Sequence, residues 1–128
     1  MNILVVDDSR TMRNIIKRTL TGAMDIPEEN ISEAGDGVEA MGLIESGSFD
    51  LYLVDWNMPN MDGITLLRKL RESGDKTPFM MCTTEAEKLK VLEAIKAGAS
   101  NYMVKPFTAE TIKEKVTQTM EKYAAQAS

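Results

Sequence analysis

The chain contains no histidine and a single cysteine, Cys82. An intrachain disulfide is therefore excluded. So are histidine-ligated metal sites and every mechanism that needs an imidazole base. A metal, if bound, must be held by oxygen donors, which selects Mg²⁺, Ca²⁺ or Mn²⁺. Aromatic residues are sparse, at 5%. No apolar run approaches the roughly 20 residues that cross a bilayer. No signal peptide precedes the strand-like start at Met1-Asn2-Ile3-Leu4, so a cytoplasmic location and no membrane partner are expected. Positive charge is in the minority: 15 Lys and Arg against 20 Asp and Glu leave a net charge of −5. That balance argues against nucleic acid as the main partner.

What is present fits one globular domain over residues 1–128, with 43% hydrophobic residues and 10 methionines as adaptable core filler. Five short strands are predicted at Ile3–Val6, Asn30–Ala34, Leu51–Val54, Phe79–Cys82 and Asn101–Val104. The first and third are nearly continuous apolar runs, the mark of strands covered on both faces. Helical spacing fills the gaps. Met12, Ile15, Ile16 and Leu20 follow a cap at Ser9 or Thr11. Val38, Met41 and Ile44 lie between Asp36 or Gly37 and Gly47. Ile64, Leu67 and Leu70 stop at Gly74, and Val91, Leu92 and Ile95 end before Gly98. Ile112, Val116, Met120 and Tyr123 follow Thr108, and a tail over 124–128 is expected to fray. Strict alternation of strand and helix implies an α/β fold, a parallel sheet with helices on both faces. No linker, repeat or low-complexity tract marks a second domain.

In such a sheet, ligands bind beyond the carboxyl ends of the strands. Asp7 and Asp8 follow the first strand, Asp55 the third, Thr83 and Thr84 the fourth, and Lys105-Pro106 the fifth. If the first and third strands are neighbours, three carboxylates share one pocket, with a hydroxyl and an ammonium beside them. Two like charges at roughly 4 Å repel by about 4 kcal/mol at an effective dielectric near 20. Mg²⁺ would remove that cost. Each residue alone has an ordinary explanation: an aspartate after a strand forms turns or caps helices, a lysine is a solvated charge, a threonine packs. Their convergence on one edge is what points to a site.

The stretches LVVDDS (4–9), DGVEA (36–40), VDWNMPNMDG (54–63), Thr83, AGAS (97–100) and YMVKPFTAET (102–111) span nearly the whole chain. In this order the sequence resembles the receiver domain of two-component response regulators, most closely the single-domain chemotaxis regulators. The resemblance implies a doubly wound, flavodoxin-like, five-stranded parallel sheet with five helices and the order 2-1-3-4-5, for which these regulators are the known example. It implies one receiver domain over 1–128 without an output domain. Asp55 would be the phosphorylation site. Asp8, Asp55 and the Asn57 carbonyl would hold Mg²⁺, with Asp7 acting through water. Thr83 and Lys105 would contact the phosphoryl oxygens, and Lys105-Pro106 would be a cis peptide.

The same resemblance implies a switch and an output surface. Thr83 would move toward the phosphoryl group and Tyr102 would swing inward. Helix 4, strand 5 and helix 5 would then grip a target through Lys88, Val91, Tyr102 and Lys115. The implied donor is a chemotaxis-type histidine kinase, the implied target a flagellar motor switch protein, and a phosphatase stays open as a further partner. A monomer is expected, and no enzymatic activity beyond its own phosphorylation and dephosphorylation. Asn57 and Glu85 match short-lived regulators. Thr84 departs from the alanine of familiar relatives and puts the phosphoryl lifetime in question. Three other roles compete: a phosphorelay intermediate, a phosphate sink, and a Mg²⁺-dependent phosphohydrolase. The last would need an acid where Asn57 stands. A nucleotide binder of the same fold is disfavoured because Asp7-Asp8 occupies the loop that would cradle phosphate.

Overall fold

The structure is a computed structural model that describes residues 1–84 and 88–127, with side chains over 1–84 and 89–125. Five strands, β1 (Ile3–Val6), β2 (Ile31–Ala34), β3 (Leu51–Asp55), β4 (Phe79–Thr83) and β5 (Asn101–Val104), alternate with five helices. The helices are α1 (Arg10–Ala23), α2 (Gly37–Ser46), α3 (Gly63–Glu72), α4 (Lys88–Ala97) and α5 (Ala109–Ala127). All strand pairs are parallel, in the order β2-β1-β3-β4-β5. This is the doubly wound order expected.

Alternation along the strands divides the core in two. Leu4, Val6, Tyr52, Val54, Phe79 and Met81 face one side, where they pack with Ala40, Leu66, Leu67, Leu70 and Ala94 of α2, α3 and α4. Ile3, Val5, Leu51, Leu53, Met80 and Cys82 face the other and meet Ile16 and Leu20 of α1 and Ile112 and Val116 of α5. With a period of two, each strand feeds both layers. That is why β1 and β3 read as unbroken apolar runs.

Side-chain caps set the helix starts. Ser9, Asp36 and Asp62 accept the N–H of Met12, Glu39 and Thr65, opening α1, α2 and α3. Thr108 accepts the Thr111 N–H at the start of α5.

Several expectations are corrected. Asn30 belongs to a single 3-10 turn, Glu28–Asn30, so β2 starts one residue later. Asp55 and Thr83 are the last residues of their strands and not the first of the loops. Ile15, Val38, Leu92, Ile95 and Tyr123 are exposed. In α1 the stack Met12–Ile16–Leu20 faces the sheet and Ile15 turns away. In α2 the fully buried residues are Gly37 and Ala40, with the expected Met41 and Ile44 packed half-buried against the core, and in α4 the buried residue is Ala94, with Ala97 beside it. α5 continues to Ala127, where fraying was expected from 124.

Candidate functional site

The carboxyl ends of β1, β3, β4 and β5 meet where the sequence places its acids, hydroxyl and lysine. Carboxylate oxygens of Asp7, Asp8 and Asp55 all lie within 4.8 Å of one another. Asp7 is 2% and Asp55 7% exposed, while Asp8 is exposed. Lys105 pairs with two of the acids: its Nζ lies 2.9 Å from Asp7 Oδ2 and 3.2 Å from Asp55 Oδ1. The Lys105-Pro106 peptide is cis.

Local structure fixes the segments that carry Asp7 and Asp55. Asp7 donates its N–H to Ala34 O, 3.1 Å, and so is tied to β2. Its Oδ1 accepts the Ser9 N–H at 2.9 Å, and its carbonyl accepts Arg13 Nη1 at 2.6 Å. Asp55 sits in register opposite Cys82. Beneath it lies Gly63, where a Cβ would overlap the Asp55 carbonyl. Thr83 is fully buried, and its carbonyl accepts the Lys105 N–H at 2.7 Å, locking β4 to β5 at the site.

Burial, and next the negative charge of Asp7, push the Asp55 carboxyl up to about 6, an increase that Lys105 only partly offsets. Burial alone would push the Lys105 ammonium down, but the hydrogen bond to Asp7 and the charge of Asp55 hold it above its ordinary value. The site therefore holds charge that its surroundings do not fully compensate. Its donors are oxygen atoms only, from three converging carboxylates and the exposed loop that begins at Asn57. That set suits Mg²⁺ and excludes a softer metal. Asp7, Asp8, Asp55 and the Asn57 carbonyl are the groups that could hold it.

The remaining expected residues distribute as follows. Thr84 is exposed immediately beyond β4, and Asn57 is exposed beside Asp55. Tyr102 is half-buried and packs against the core layer of α2, α3 and α4. Val91 and Lys115 are half-buried on α4 and α5. Glu85 and the Lys88 side chain lie outside the described residues.

Three features at the site escaped the sequence reading. Arg13 braces the Asp7 carbonyl, Gly63 permits the close return of the chain under Asp55, and Lys90 of α4 places Nζ 4.7 Å from the Trp56 ring centroid. Only the glycine left a signal, in the Asp62-Gly63 pair, and that pair reads equally well as a plain turn. A surface cavity of about 440 Å³ opens at the other end of the sheet, lined by Lys76, Ser100, Thr119, Lys122 and Tyr123 among others, and shares no residue with the acids.

Comparison with known proteins agrees with this geometry. Residues 3–117 match the family described as the response regulator receiver domain. The chemotaxis protein CheY of Pseudomonas aeruginosa is 46% identical over 95% of this chain and 98% of its own length. CheY-3 of Vibrio cholerae is 44% identical over 95% of this chain and 93% of its own. Among solved structures, the chemotaxis response regulator CheY4 of Vibrio cholerae superposes with a TM-score of 0.83 at 32% identity, covering 92% of this chain and 97% of that one. A CheY-like receiver domain protein of Methanospirillum hungatei reaches 0.85 at 26% identity, covering 98% and 97%.

Proposed function

Because the chain belongs to the response regulator receiver domain family, we propose that it works as a chemotaxis regulator that accepts a phosphoryl group on Asp55. The observation that carries this reading is the meeting of Asp7, Asp8 and Asp55 around the Lys105 ammonium at one sheet edge. β3 lies between β1 and β4 and is buried along its length, so it presents the Asp55 carboxylate at a fixed point where a donor can reach it. Mg²⁺, when bound, supplies positive charge to the transferring group. Lys105 already faces Asp55, so it can neutralise a phosphoryl oxygen there once released from the acid. Thr83, at the end of β4, supplies a hydroxyl. Asp8, Asp55 and the Asn57 carbonyl would hold the metal, with Asp7 acting through water.

The output surface is α4, β5 and α5. In support, Leu89, Leu92 and Ile95 of α4 and Val104 of the edge strand β5 are exposed, Leu89 at 79%. Exposed apolar side chains on a helix and the strand beside it suit a protein partner. Tyr102, Val91, Lys88 and Lys115 belong to the same three elements, and a shift of Thr83 with Tyr102 couples them to Asp55. The receiver acts in the cytoplasm and as a monomer. A chemotaxis-type histidine kinase is the donor and a flagellar motor switch protein the target. Among the described residues no helix is long and apolar enough to cross a membrane.

Phosphotransfer from a radiolabelled chemotaxis kinase tests the chemistry. Label should pass to the wild type with Mg²⁺ and fail to pass without it or to Asp55→Asn. Transfer to Asp55→Asn would sink the assignment. Capture by a motor switch peptide should require beryllofluoride, which stands in for the phosphoryl group. Capture that ignores it would point instead to a phosphorelay intermediate or a phosphate sink.

A further inference from the structure

The loop from Trp56 to Asp62, which carries Asn57, is fastened from a segment that supplies no ligand. Asp36, between β2 and α2, uses its two carboxylate oxygens for two tasks. Oδ1 accepts the Glu39 N–H at 2.8 Å and caps α2, while Oδ2 accepts Asn60 Nδ2 at 2.7 Å. These two bonds, in that order, hold the Asp36 carboxyl below its usual range against a small opposing effect of burial.

Asn60 takes φ +67°, a left-handed conformation that asparagine tolerates and most residues resist. This turn aims its amide at Asp36. Next to it, the Gly37 N–H donates to Met61 O at 3.2 Å, and a Cβ at Gly37 would come within 2.8 Å of Met61. The loop closes on itself through Gly63 N–H to Trp56 O, 2.8 Å. Ala34, at the end of β2, takes the N–H of Asp7. The turn from β2 to α2 therefore holds both acid-bearing segments, that of Asp7 and that of Asp55 and Asn57.

We propose that Asp36 and Asn60 form a latch that fixes the Asn57 loop for Mg²⁺, which makes them positioning residues for phosphoryl acceptance. The proposal rests on the function proposed above. A carbonyl ligand on an exposed loop binds well only if the loop is preorganised, and groups that orient metal ligands commonly affect affinity strongly. Because the latch is solvent-exposed, a milder effect is expected here.

Mg²⁺ titration followed by the fluorescence of Trp56, the only tryptophan, tests it. Glycine accepts the left-handed turn, so Asn60→Gly removes the amide without backbone strain. It should weaken Mg²⁺ binding by roughly threefold to tenfold, a shift of the size expected from losing one exposed hydrogen bond to a charged group. The exchanged pair, Asp36→Asn with Asn60→Asp, keeps the net charge, the cap and the bond. It should bind Mg²⁺ within about twofold of the wild type. A purely structural role would lower stability to urea in Asn60→Gly while leaving Mg²⁺ affinity untouched. That result would overturn the latch, as would an exchanged pair no better than Asn60→Gly. Absence of Mg²⁺ binding in the wild type would instead overturn the function on which the latch rests.

Discussion

Asp55 and Asp75 stand at opposite ends of the same strand pair and are driven in opposite directions. Asp55 closes β3, and burial with the charge of Asp7 pushes its carboxyl up to about 6. Asp75 lies just ahead of β4. Burial alone would raise it too, but hydrogen bonds from Tyr52 and Thr77 and the charge of Arg71 outweigh that and hold it below the ordinary range. Tyr52 donates its hydroxyl to Asp75 Oδ2 at 2.6 Å and is itself pushed up to about 12 by burial and by this carboxylate. Arg71 completes the far end, donating to the carbonyls of Asp75, Thr77 and Gly98 at 2.8 to 3.1 Å. At one end of the sheet a carboxylate is satisfied. At the other it is held in want of positive charge. The first arrangement stabilises the fold, and the second sacrifices stability at the proposed metal and phosphoryl site.

The sharpest way to break this contrast is at the far end. Arg71→Ala leaves three carbonyls without their donor and should cost about 3 kcal/mol in urea unfolding. A loss below about 1 kcal/mol would mean that this end is not the stabilising one. The near end should answer with the opposite sign. In Mg²⁺-free buffer at pH 7.5, Asp55→Asn should gain about 1 to 2 kcal/mol, less than the full shift implies because water screens the open site. The folded-state value is raised, so the charged carboxyl penalises the fold above about 6. The gain should shrink as pH falls from 6 and vanish near 4, once the carboxyl is protonated in both states. Asp75→Asn should lose about 1 kcal/mol. Its folded-state value is lowered, so that loss should persist down to about pH 4 and disappear only below it. Between pH 4 and 6 the two variants should therefore diverge in behaviour, and parallel curves would contradict the contrast.

Much of the near end was legible in the sequence and little of the far end. Asp7, Asp8, Asp55 and Lys105 each follow an apolar run, and a parallel sheet delivers all its carboxyl ends to one edge. Strand recognition was therefore enough to assemble them. The bridging of two acids by Lys105 was not legible, since it depends on side-chain reach across β1, β3 and β5. Arg71 illustrates the difficulty at the far end. Its partner Gly98 lies 27 residues away, and a basic residue in the last turn of a helix reads as a solvated charge. The Asp36–Asn60 bond was hidden for a similar reason, since both residues have local uses as cap and turn former. Helix faces were misread wherever every apolar residue was assigned to the core. α4 packs through Ala94 and Ala97 and leaves Leu92 and Ile95 outside.

The smallest expected effect concerns Thr84, exposed beyond β4. Thr84→Ala should leave stability within about 0.5 kcal/mol while changing the decay of phosphorylated protein. Equal decay rates would remove Thr84 from the control of lifetime.

The central claim is that the Asp55 carboxylate is held in an unfavourable charged state that a divalent cation relieves. Carbon-13 NMR titration of the aspartate carboxyls measures this most directly. Asp55 should titrate near 6 without metal and well below that in saturating Mg²⁺, with Asp75 below its ordinary value in both. An Asp55 that titrates like an ordinary carboxylate without metal, or that ignores Mg²⁺, would contradict it.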